Sequence, residues 1–483
     1  MNDVKKAVMT NWRWVMCAML FFATTVNYMD RQVLSLTFKE FIQPEFHWTD
    51  SDYGTITGVF SIAYAIFCLF AGKFIDWMGT KRGYLWAIVI WSLGAVMHAA
   101  CGIATTWFVA GVDSVAAMRA IEAGSALAST VAMISVWLFL ACRMILGLGE
   151  AGNFPAAIKV TAEYFPKKDR AFATALFNAG ASVGALAAPA TIPLLAKSMG
   201  WEWAFIIIGA LGFIWAGVWV FVYDKPTESK HVNEAELEYI HQDEADASKE
   251  AVKEEKQMSF AEAFKHKQTW SFAFGKFMTD GVWWFFLFWA PAYFQDQFGI
   301  KASDPQGIAL IFTLYAIVTV VSLFGGYLPK IFVEKKGMEP YAGRMLAMLI
   351  FAFFPIFALF AQPLGGVFGP WAVAIIIGIV GAAHQSWSAN IFSTTGDMFP
   401  KSAVATITGI GAMAGGVGSF LINKGSGMLF THAEEMGSAF QFMGFEGKPA
   451  GYMIIFCICA VAYLIGWSVM KTLVPHYKPV EIK

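Results

Sequence analysis

Charged residues occur inside stretches of this sequence that are otherwise apolar. Arg143 and Glu150 lie about two helical turns apart, so one face of a helix carries both. Asp30 and Arg31 are adjacent in an earlier stretch. Because a charge in the middle of a bilayer costs several kcal/mol unless it is paired or wet, we expect these groups to line a charged aqueous cavity. The alternative is a static cluster of ion pairs that holds helices together.

A second group of polar residues lies in the later half of the chain. Lys276 and Asp280 are one helical turn apart and either neutralise each other or leave Lys276 for a ligand. The later half also offers Trp283, His384, Gln385, Trp387 and Asn390, and the first half adds Tyr28, Tyr64 and Asn178. Cations bind carboxylates and amides bind hydroxyls, so the set suits a small anionic polyol covered by indole faces. The alternative for His384 is a hydrogen-bonded packing residue.

The stretches that must position these residues indicate a polytopic membrane protein. Of 483 residues, 57% are apolar and 14% charged, whereas a soluble domain carries about 25% charged residues. Roughly 20 apolar residues cross a bilayer core as a helix. Such segments lie near 14–38, 53–75, 83–103, 131–165, 170–196 and 202–223, then near 269–298, 305–333, 342–362, 370–399, 402–431 and 449–472. We predict an all-α fold of twelve transmembrane helices in two pseudo-symmetric six-helix bundles.

The predicted bundles comprise residues 1–223 and 269–483, joined by a linker at 224–268 that is too polar to cross a membrane. Most of the 34 Lys and Arg residues fall on the linker's side, which indicates that this side and both termini are cytoplasmic. Residues 104–130 are expected to form an external helical extension; the alternative is a short extra hairpin in the membrane. We expect a monomer in the cell (inner) membrane.

A short repeat relates the two halves. Residues 164–167 (Tyr-Phe-Pro-Lys) precede a helix rich in small residues, and residues 398–401 (Met-Phe-Pro-Lys) do the same in the second half. At the same offset, Gly184 aligns with Gly418. Repeated six-helix halves are a known transporter architecture, with the binding site between the halves.

The loop between the second and third predicted helices has a distinctive pattern, Gly-Lys-Phe-Ile-Asp-Trp-Met-Gly-Thr-Lys-Arg. Two glycines permit a tight turn, and the acid can pair with basic residues at neighbouring helix ends. We predict a structural and gating role for Gly72, Asp76, Gly79, Lys81 and Arg82. The run resembles the G-x-x-x-D-x-x-G-x-[KR]-[KR] loop signature of the major facilitator superfamily.

Nearly the whole chain resembles the anion:cation symporter family of that superfamily, especially its hexuronate transporters. The runs that carry the resemblance are 27–31, 143–155, 177–180, 276–284 and 383–385. The resemblance implies proton coupling by Asp30, Arg143 and Glu150, and we hypothesise that proton loading releases Arg143 from Glu150 or Asp30 and permits substrate binding. It implies that the substrate is held by Tyr28, Arg31 and Tyr64, and that Lys276, His384 and Gln385 mark hexuronate members. The long 104–130 connection and Gly281, where Pro is expected, depart from the family pattern.

We therefore expect import of glucuronate or galacturonate with protons by alternating access. The main alternative is another organic anion, such as an aldonate, glucarate or an aromatic carboxylate. A membrane sensor would need a soluble output domain, and an enzyme would need a nucleophile with its base, a metal cluster or a phosphate loop. None stands out, so we predict no enzyme activity, cofactor or metal. No basic tract suggests nucleic acid, and the six scattered cysteines are interpreted as packing residues.

Overall fold

The computed structural model describes residues 9–242, 258–325 and 327–480, which are mostly helical. In the first half the long helices are α1 (Trp12–Thr37), α2 (Asp50–Met78), α3 (Thr80–Phe108), α4 (Ala126–Tyr164), α5 (Lys167–Met199) and α6 (Trp201–Val222). In the second half they are α7 (Lys267–Phe298), α8 (Pro305–Lys336), α9 (Pro340–Phe368), α10 (Pro370–Met398), α11 (Lys401–Met436) and α12 (Lys448–Leu473).

Some of these helices are interrupted. A 3-10 turn lies within α3 at His98–Ala100 and within α9 at Phe354–Phe360. In α4 the segments Ala126–Glu150 and Asn153–Tyr164 follow each other closely, and α8 consists of Pro305–Gly325 and Leu328–Lys336. Shorter elements are the π-helix Phe38–Ile42, the helices Gln43–Phe46, Val115–Arg119, Glu234–Ile240 and Phe260–Ala263, the 3-10 turn Gly437–Ala439, and the antiparallel strands β1 (Gln441–Phe442) and β2 (Phe445–Glu446).

The length and composition of the helices agree with a membrane-spanning protein. Within the described ranges, ten helices are long and apolar enough to cross a bilayer. The two other long helices are α1 and α7, with 26 and 32 residues, and they carry Asp30, Arg31, Lys276 and Asp280. The all-α, multi-pass architecture predicted from the sequence is confirmed.

The repeat is visible in the backbone where α4 meets α5 and where α10 meets α11. Phe165 is extended at φ −125° and ψ 133°, and Phe399 adopts φ −110° and ψ 145°. The prolines that follow precede α5 and α11 with φ near −62° in Pro166 and −63° in Pro400. Because proline fixes φ and cannot donate in a preceding helix, the same pair of residues ends one helix and starts the next in both halves.

Two aligned glycines perform the same packing role in the two halves. A Cβ atom on Gly184 of α5 would collide with the carbonyl oxygen of Thr25 in α1. A Cβ atom on Gly418 of α11 would collide with the carbonyl oxygen of Phe277 in α7. Glycine therefore allows α5 to approach α1, and α11 to approach α7, at backbone distance.

The two halves meet along α2 with α11 and along α5 with α8. At the end opposite the chain termini, called the far end, a charged network joins them. It contains Lys39, Asp50, Asp296, Glu434 and Lys448. Within this network, Lys39 pairs with Asp296 at 3.0 Å and Lys448 with Asp50 at 2.7 Å across the two halves. These ion pairs join the two halves at the far end.

The 104–130 connection also lies at the far end. After α3 ends at Phe108, the short helix Val115–Arg119 follows, and α4 begins at Ala126. Arg119 donates to Glu45 Oε2 from Nε at 2.9 Å and from Nη2 at 2.6 Å. Trp201 Nε1 donates to the same oxygen at 2.8 Å, so one buried carboxylate holds the connection against the α1–α2 loop and the start of α6.

The described parts of the predicted linker are residues 224–242 and 258–268, and residues 243–257 lie outside the description. The helix Glu234–Ile240 packs on the start of α1 through Glu236, which is fully buried. Burial alone would raise the pKa of Glu236, but hydrogen bonds from Thr10 Oγ1 and from the backbone and side chain of Arg13 lower this pKa below its ordinary value. This end, with both termini, is called the terminal end.

Candidate functional site

Arg31 of α1 and Glu150 of α4 form a buried ion pair between two helices of the first half. Arg31 Nε and Nη2 donate to Glu150 Oε2 at 3.1 and 2.8 Å. The side chains are 6% and 0% exposed. Glu150 Oε1 has no hydrogen-bond partner among the described residues. One carboxylate oxygen thus holds the guanidinium, while the other has no donor.

Three aromatic rings surround the guanidinium of Arg31. Its Cζ atom lies 5.2 Å from the ring centroid of Tyr28, 4.7 Å from Tyr64 and 5.2 Å from Trp284. Trp284 belongs to α7, so this cation–π contact crosses from one half to the other. Tyr28, Arg31 and Tyr64 were predicted to lie together, whereas Trp284 was not among the predicted site residues.

Asp30 and Arg143 lie in the same cluster, and their charges interact with each other and with Glu150. Each is about 2% exposed, so neither faces the outer surface. Among the described residues, both oxygens of Asp30 and both terminal nitrogens of Arg143 lack a hydrogen-bond partner. From the sequence we expected Arg143 to form an ion pair with Glu150 or Asp30. In the structure, Arg31 is the arginine that donates to Glu150. Arg143 Cζ instead lies 5.4 Å from the ring centroid of Phe60.

The second half contributes a buried pair on α7. Lys276 Nζ lies 2.8 Å from Asp280 Oδ2, with side chains 7% and 13% exposed. The ammonium also lies 4.5 Å from the ring centroid of Phe392 in α10. In this structure the pair is closed, as one of the two sequence interpretations expected.

His384 of α10 lies between an indole and a phenol. Its ring stacks on Trp283 with centroids 5.4 Å apart and planes 3° apart. His384 Nδ1 and the Tyr463 hydroxyl are 2.6 Å apart. Trp387 meets the same tyrosine edge-on at 5.4 Å. Tyr463 of α12 was missed by the sequence interpretation because it stands alone in an apolar segment.

The remaining predicted polar residues are less closely associated with these clusters. Asn390 Nδ2 donates to the Ser386 carbonyl oxygen of its own helix at 2.8 Å. Gln385 is half-buried, and Asn178 is exposed on α5. In the described part of the chain, no hydrogen bond or ion pair joins Asn178, Gln385 or Asn390 to either cluster.

The predicted gating loop lies at the terminal end. Asp76 Oδ1 accepts from Lys159 Nζ of α4 at 2.7 Å, and Lys81 Nζ lies 2.8 Å from Asp224. The other predicted members are Gly72, which has open space where a Cβ would stand, Gly79, with φ +76°, and the exposed Arg82. The loop therefore fastens the end of α2 to α4 and the start of α3 to the segment after α6.

The described side chains form no candidate metal site. Across residues 9–242, 258–325 and 327–480, no group of three or more His, Cys, Asp or Glu side chains is placed to hold an ion. All six cysteines are free thiols, and the Sγ atoms of Cys101 and Cys142 are 3.7 Å apart.

Comparison with known proteins identifies the family. A model described as the Major Facilitator Superfamily matches residues 20–422. The hexuronate transporter of Escherichia coli (strain K12) is 27% identical over 470 residues, which cover 97% of this chain and 96% of that protein. The galacturonate transporter of Dickeya chrysanthemi is 27% identical over 355 residues, covering 73% and 92%. A solved structure of a bacterial homolog to the human lysosomal transporter Spinster, inward-facing and unoccupied, gives a TM-score of 0.68 at 17% identity, covering 96% and 98%.

These matches confirm the resemblance found in the sequence, and the solved structure shares the fold of two six-helix halves. The named relatives are transporters, and the family model covers most of the chain. The chain is therefore a multi-pass membrane transporter rather than an enzyme, and it belongs to the Major Facilitator Superfamily.

Proposed function

We propose that this transporter imports a hexuronate, glucuronate or galacturonate, together with protons by alternating access. The observation that carries the proposal is the buried pair of Arg31 and Glu150, enclosed by aromatic rings from both halves. A guanidinium of this kind binds a carboxylate through two parallel hydrogen bonds. The names of the two relatives, a hexuronate and a galacturonate transporter, support a sugar acid as the substrate.

The coupling step follows from competition for Arg31. As long as Glu150 is ionised, its Oε2 accepts both of the hydrogen bonds that a substrate carboxylate would need. A proton on Glu150 removes its negative charge and releases the guanidinium. Arg31 then binds the substrate carboxylate, while Tyr28, Tyr64 and Trp284 hold the guanidinium in place and cover the sugar ring.

Asp30 and Arg143 balance each other's charge during this exchange. Two guanidiniums and two carboxylates balance in the empty state. Protonation of Glu150 adds one positive charge, and the substrate anion removes it. Arg143 stays beside Asp30 as its counter-charge, so the excess positive charge on Arg31 is what attracts the substrate anion into the low-dielectric interior.

The remaining predicted residues complete the substrate site from the second half. Lys276, Trp283, His384, Gln385, Trp387 and Asn390 supply donors, acceptors and ring faces for the hydroxyl side of the sugar acid, with Asn178 of α5 reaching the same space in another state of the cycle. Other organic anions present the same carboxylate to Arg31. The hydroxyl-binding residues are therefore the part of the site that selects among acids.

The energetics require coupling. An inside-negative potential opposes entry of one anionic charge by about 2.3 kcal/mol per 100 mV, or roughly fifty-fold. One co-transported proton cancels this charge.

We place the protein in the inner membrane with both termini cytoplasmic, so the far end is external. The halves 1–223 and 269–483 rock about the site. The ion pairs of the far end break when the site opens outward.

Uptake into proteoliposomes tests the proposal. Labelled glucuronate and galacturonate should accumulate when the outside is acidified, and an uncoupler should abolish the accumulation. A panel of unlabelled aldonates, glucarate and aromatic acids, added in tenfold excess, identifies the best competitor. If a pH gradient has no effect on uptake, proton symport is wrong; if an acid other than a hexuronate competes best, the substrate assignment is wrong.

A further inference from the structure

The pair of Lys276 and Asp280 has the same design as the pair of Arg31 and Glu150. In each half, one buried cation is held by one carboxylate oxygen, at 2.8 Å in both pairs. In each pair the second carboxylate oxygen is buried and has no hydrogen-bond partner among the described residues. A buried carboxylate oxygen without a donor destabilises the ionised form, and a proton bound to the carboxylate relieves that cost.

Helix α11 leaves space for the Asp280 carboxylate. A Cβ atom on Gly415 would collide with Asp280 Oδ2, so any other residue at position 415 would displace the carboxylate. The glycine gives α11 no side chain with which to bind Asp280. The acid is therefore enclosed without a donor from the helix that covers it. Its protonation state depends on Lys276 and on protons that enter the site.

The titratable groups around this pair come from three helices. Lys276 lies on α7 itself, Tyr463 of α12 interacts with the charge of Asp280, and His384 of α10 interacts with the charge of Lys276. Among the described residues, Asp280 forms an ion pair with Lys276 alone. A proton on Asp280 consequently releases the ammonium of Lys276, a residue about two turns, or about 12 Å of helix rise, along α7 from Trp284, whose ring contacts the guanidinium of Arg31.

We infer that Asp280 is a second proton-binding residue of the transport cycle, whose protonation releases Lys276 to donate hydrogen bonds to the substrate. The inference rests on the proposed function, because it assigns one more proton to the same site. The charge balance is explicit: Glu150 and Asp280 each take one proton, the substrate carries one negative charge, and the cycle moves one net positive charge inward. A symporter with Glu150 as its sole proton carrier would move no net charge.

The test measures charge per substrate in proteoliposomes. With equal pH on both sides, a potassium gradient and valinomycin set the potential, and the reversal point of glucuronate flux is determined. An inside-negative potential of about 59 mV should balance a tenfold outward-directed glucuronate gradient in the natural protein. If the potential does not move glucuronate, so that transport is electroneutral, the inference is overturned while the proposed function stands. If neither hexuronate is taken up or exchanged at all, the proposed function fails instead.

Variants then assign the charge to Asp280. In Asp280→Asn, the potential should no longer drive glucuronate although a pH gradient still does, and Asp280→Glu should restore the response to potential. Asp113→Asn, at an exposed position in the 104–130 connection, is the matched control and should respond as the natural protein does. Should Asp280→Asn fail to fold, Asp280→Ser also removes the carboxylate, leaves Lys276 for the substrate and carries the same expectation. A potential response that persists without the carboxylate contradicts the inference.

Discussion

Lys448 Nζ of α12 lies 2.7 Å from Asp50 Oδ2 of α2, so an ion pair joins the two halves of the transporter at the far end. Both side chains are largely buried, at 11% and 0% exposed. Removing one partner of a buried pair costs about 3–5 kcal/mol, because the other charge is left without compensation. We predict that Lys448→Met shifts the population toward an open far end.

Spin-label distances between the exposed ends of α5 and α11, at Met199 and Met436, measure this shift in a background without native cysteines. The distribution should gain a longer component in Lys448→Met. Lys330→Met is the control, since Lys330 pairs with Glu334 on the surface, where an ion pair contributes about 0–1 kcal/mol. Identical distributions in Lys448→Met and the natural protein would show that the network does not hold the far end closed.

Glycine packing between α11 and α7 gives a second prediction. Gly418→Ala would place a methyl group against the Phe277 carbonyl oxygen, whereas a Cβ on Gly425 of the same helix meets open space. We expect Gly418→Ala to destabilise the protein by about 1–3 kcal/mol through overpacking. Gly425→Ala should be neutral or stabilise by up to about 1 kcal/mol, since alanine favours helix. Thermal unfolding in detergent decides, and equal melting temperatures for the two variants would refute the packing account.

Substrate affinity should depend on the fork geometry of Arg31. Lysine keeps the charge at this position but cannot donate two parallel hydrogen bonds to a carboxylate. We expect Arg31→Lys to weaken glucuronate binding by roughly 10- to 100-fold, the loss of one charge-assisted hydrogen bond. Calorimetric titration of the purified protein provides the measurement. Arg119→Lys, in the far-end connection, should bind glucuronate as the natural protein does, and an unchanged affinity in Arg31→Lys would exclude Arg31 from the substrate site.

The stability of the folded protein should depend on pH through Glu236, which lies outside the membrane. Because its folded-state pKa is below the ordinary value, the carboxylate stabilises the fold above the ordinary pKa of about 4.3, and this contribution is lost as the pH falls through the folded-state pKa. Glu236→Gln should therefore lower stability by about 1–3 kcal/mol at pH 7.5 and by less near pH 4. Melting curves at both pH values, with the exposed Glu238→Gln as control, provide the test. A destabilisation that is the same at both pH values would contradict the assigned charge.

Much of the fold could be predicted from the sequence because hydropathy reports directly where a chain meets lipid. The tenth helix was expected near 370–399 and lies at Pro370–Met398. The fourth was expected to begin near residue 131 but begins at Ala126, where Ser125 Oγ accepts from the Ala128 backbone N–H. Hydropathy does not detect a helix start that is set by a polar capping residue. The predicted start of the fourth helix therefore lay too late in the sequence.

The site was only partly predictable for a geometric reason. Helical periodicity places Arg143 and Glu150 on one face, but the partner of Glu150 depends on how α1 is rotated against α4. Arg31 is 119 residues away from Glu150, and no local pattern encodes that rotation. Trp284 could have been found, since it lies one turn after Asp280 and shares its face. Gly415 could not, because nothing distinguishes it in the sequence from the other glycines of α11.

The central claim is that a proton on Glu150 releases Arg31 for the substrate, and one pair of assays on Glu150→Gln tests it most directly. The glutamine imitates the protonated acid, so exchange of labelled for unlabelled glucuronate across proteoliposomes should persist. Accumulation driven by a pH gradient should fall below that of the natural protein, because only the proton bound at Asp280 still couples the substrate to the gradient. Full gradient-driven accumulation in Glu150→Gln would contradict the account.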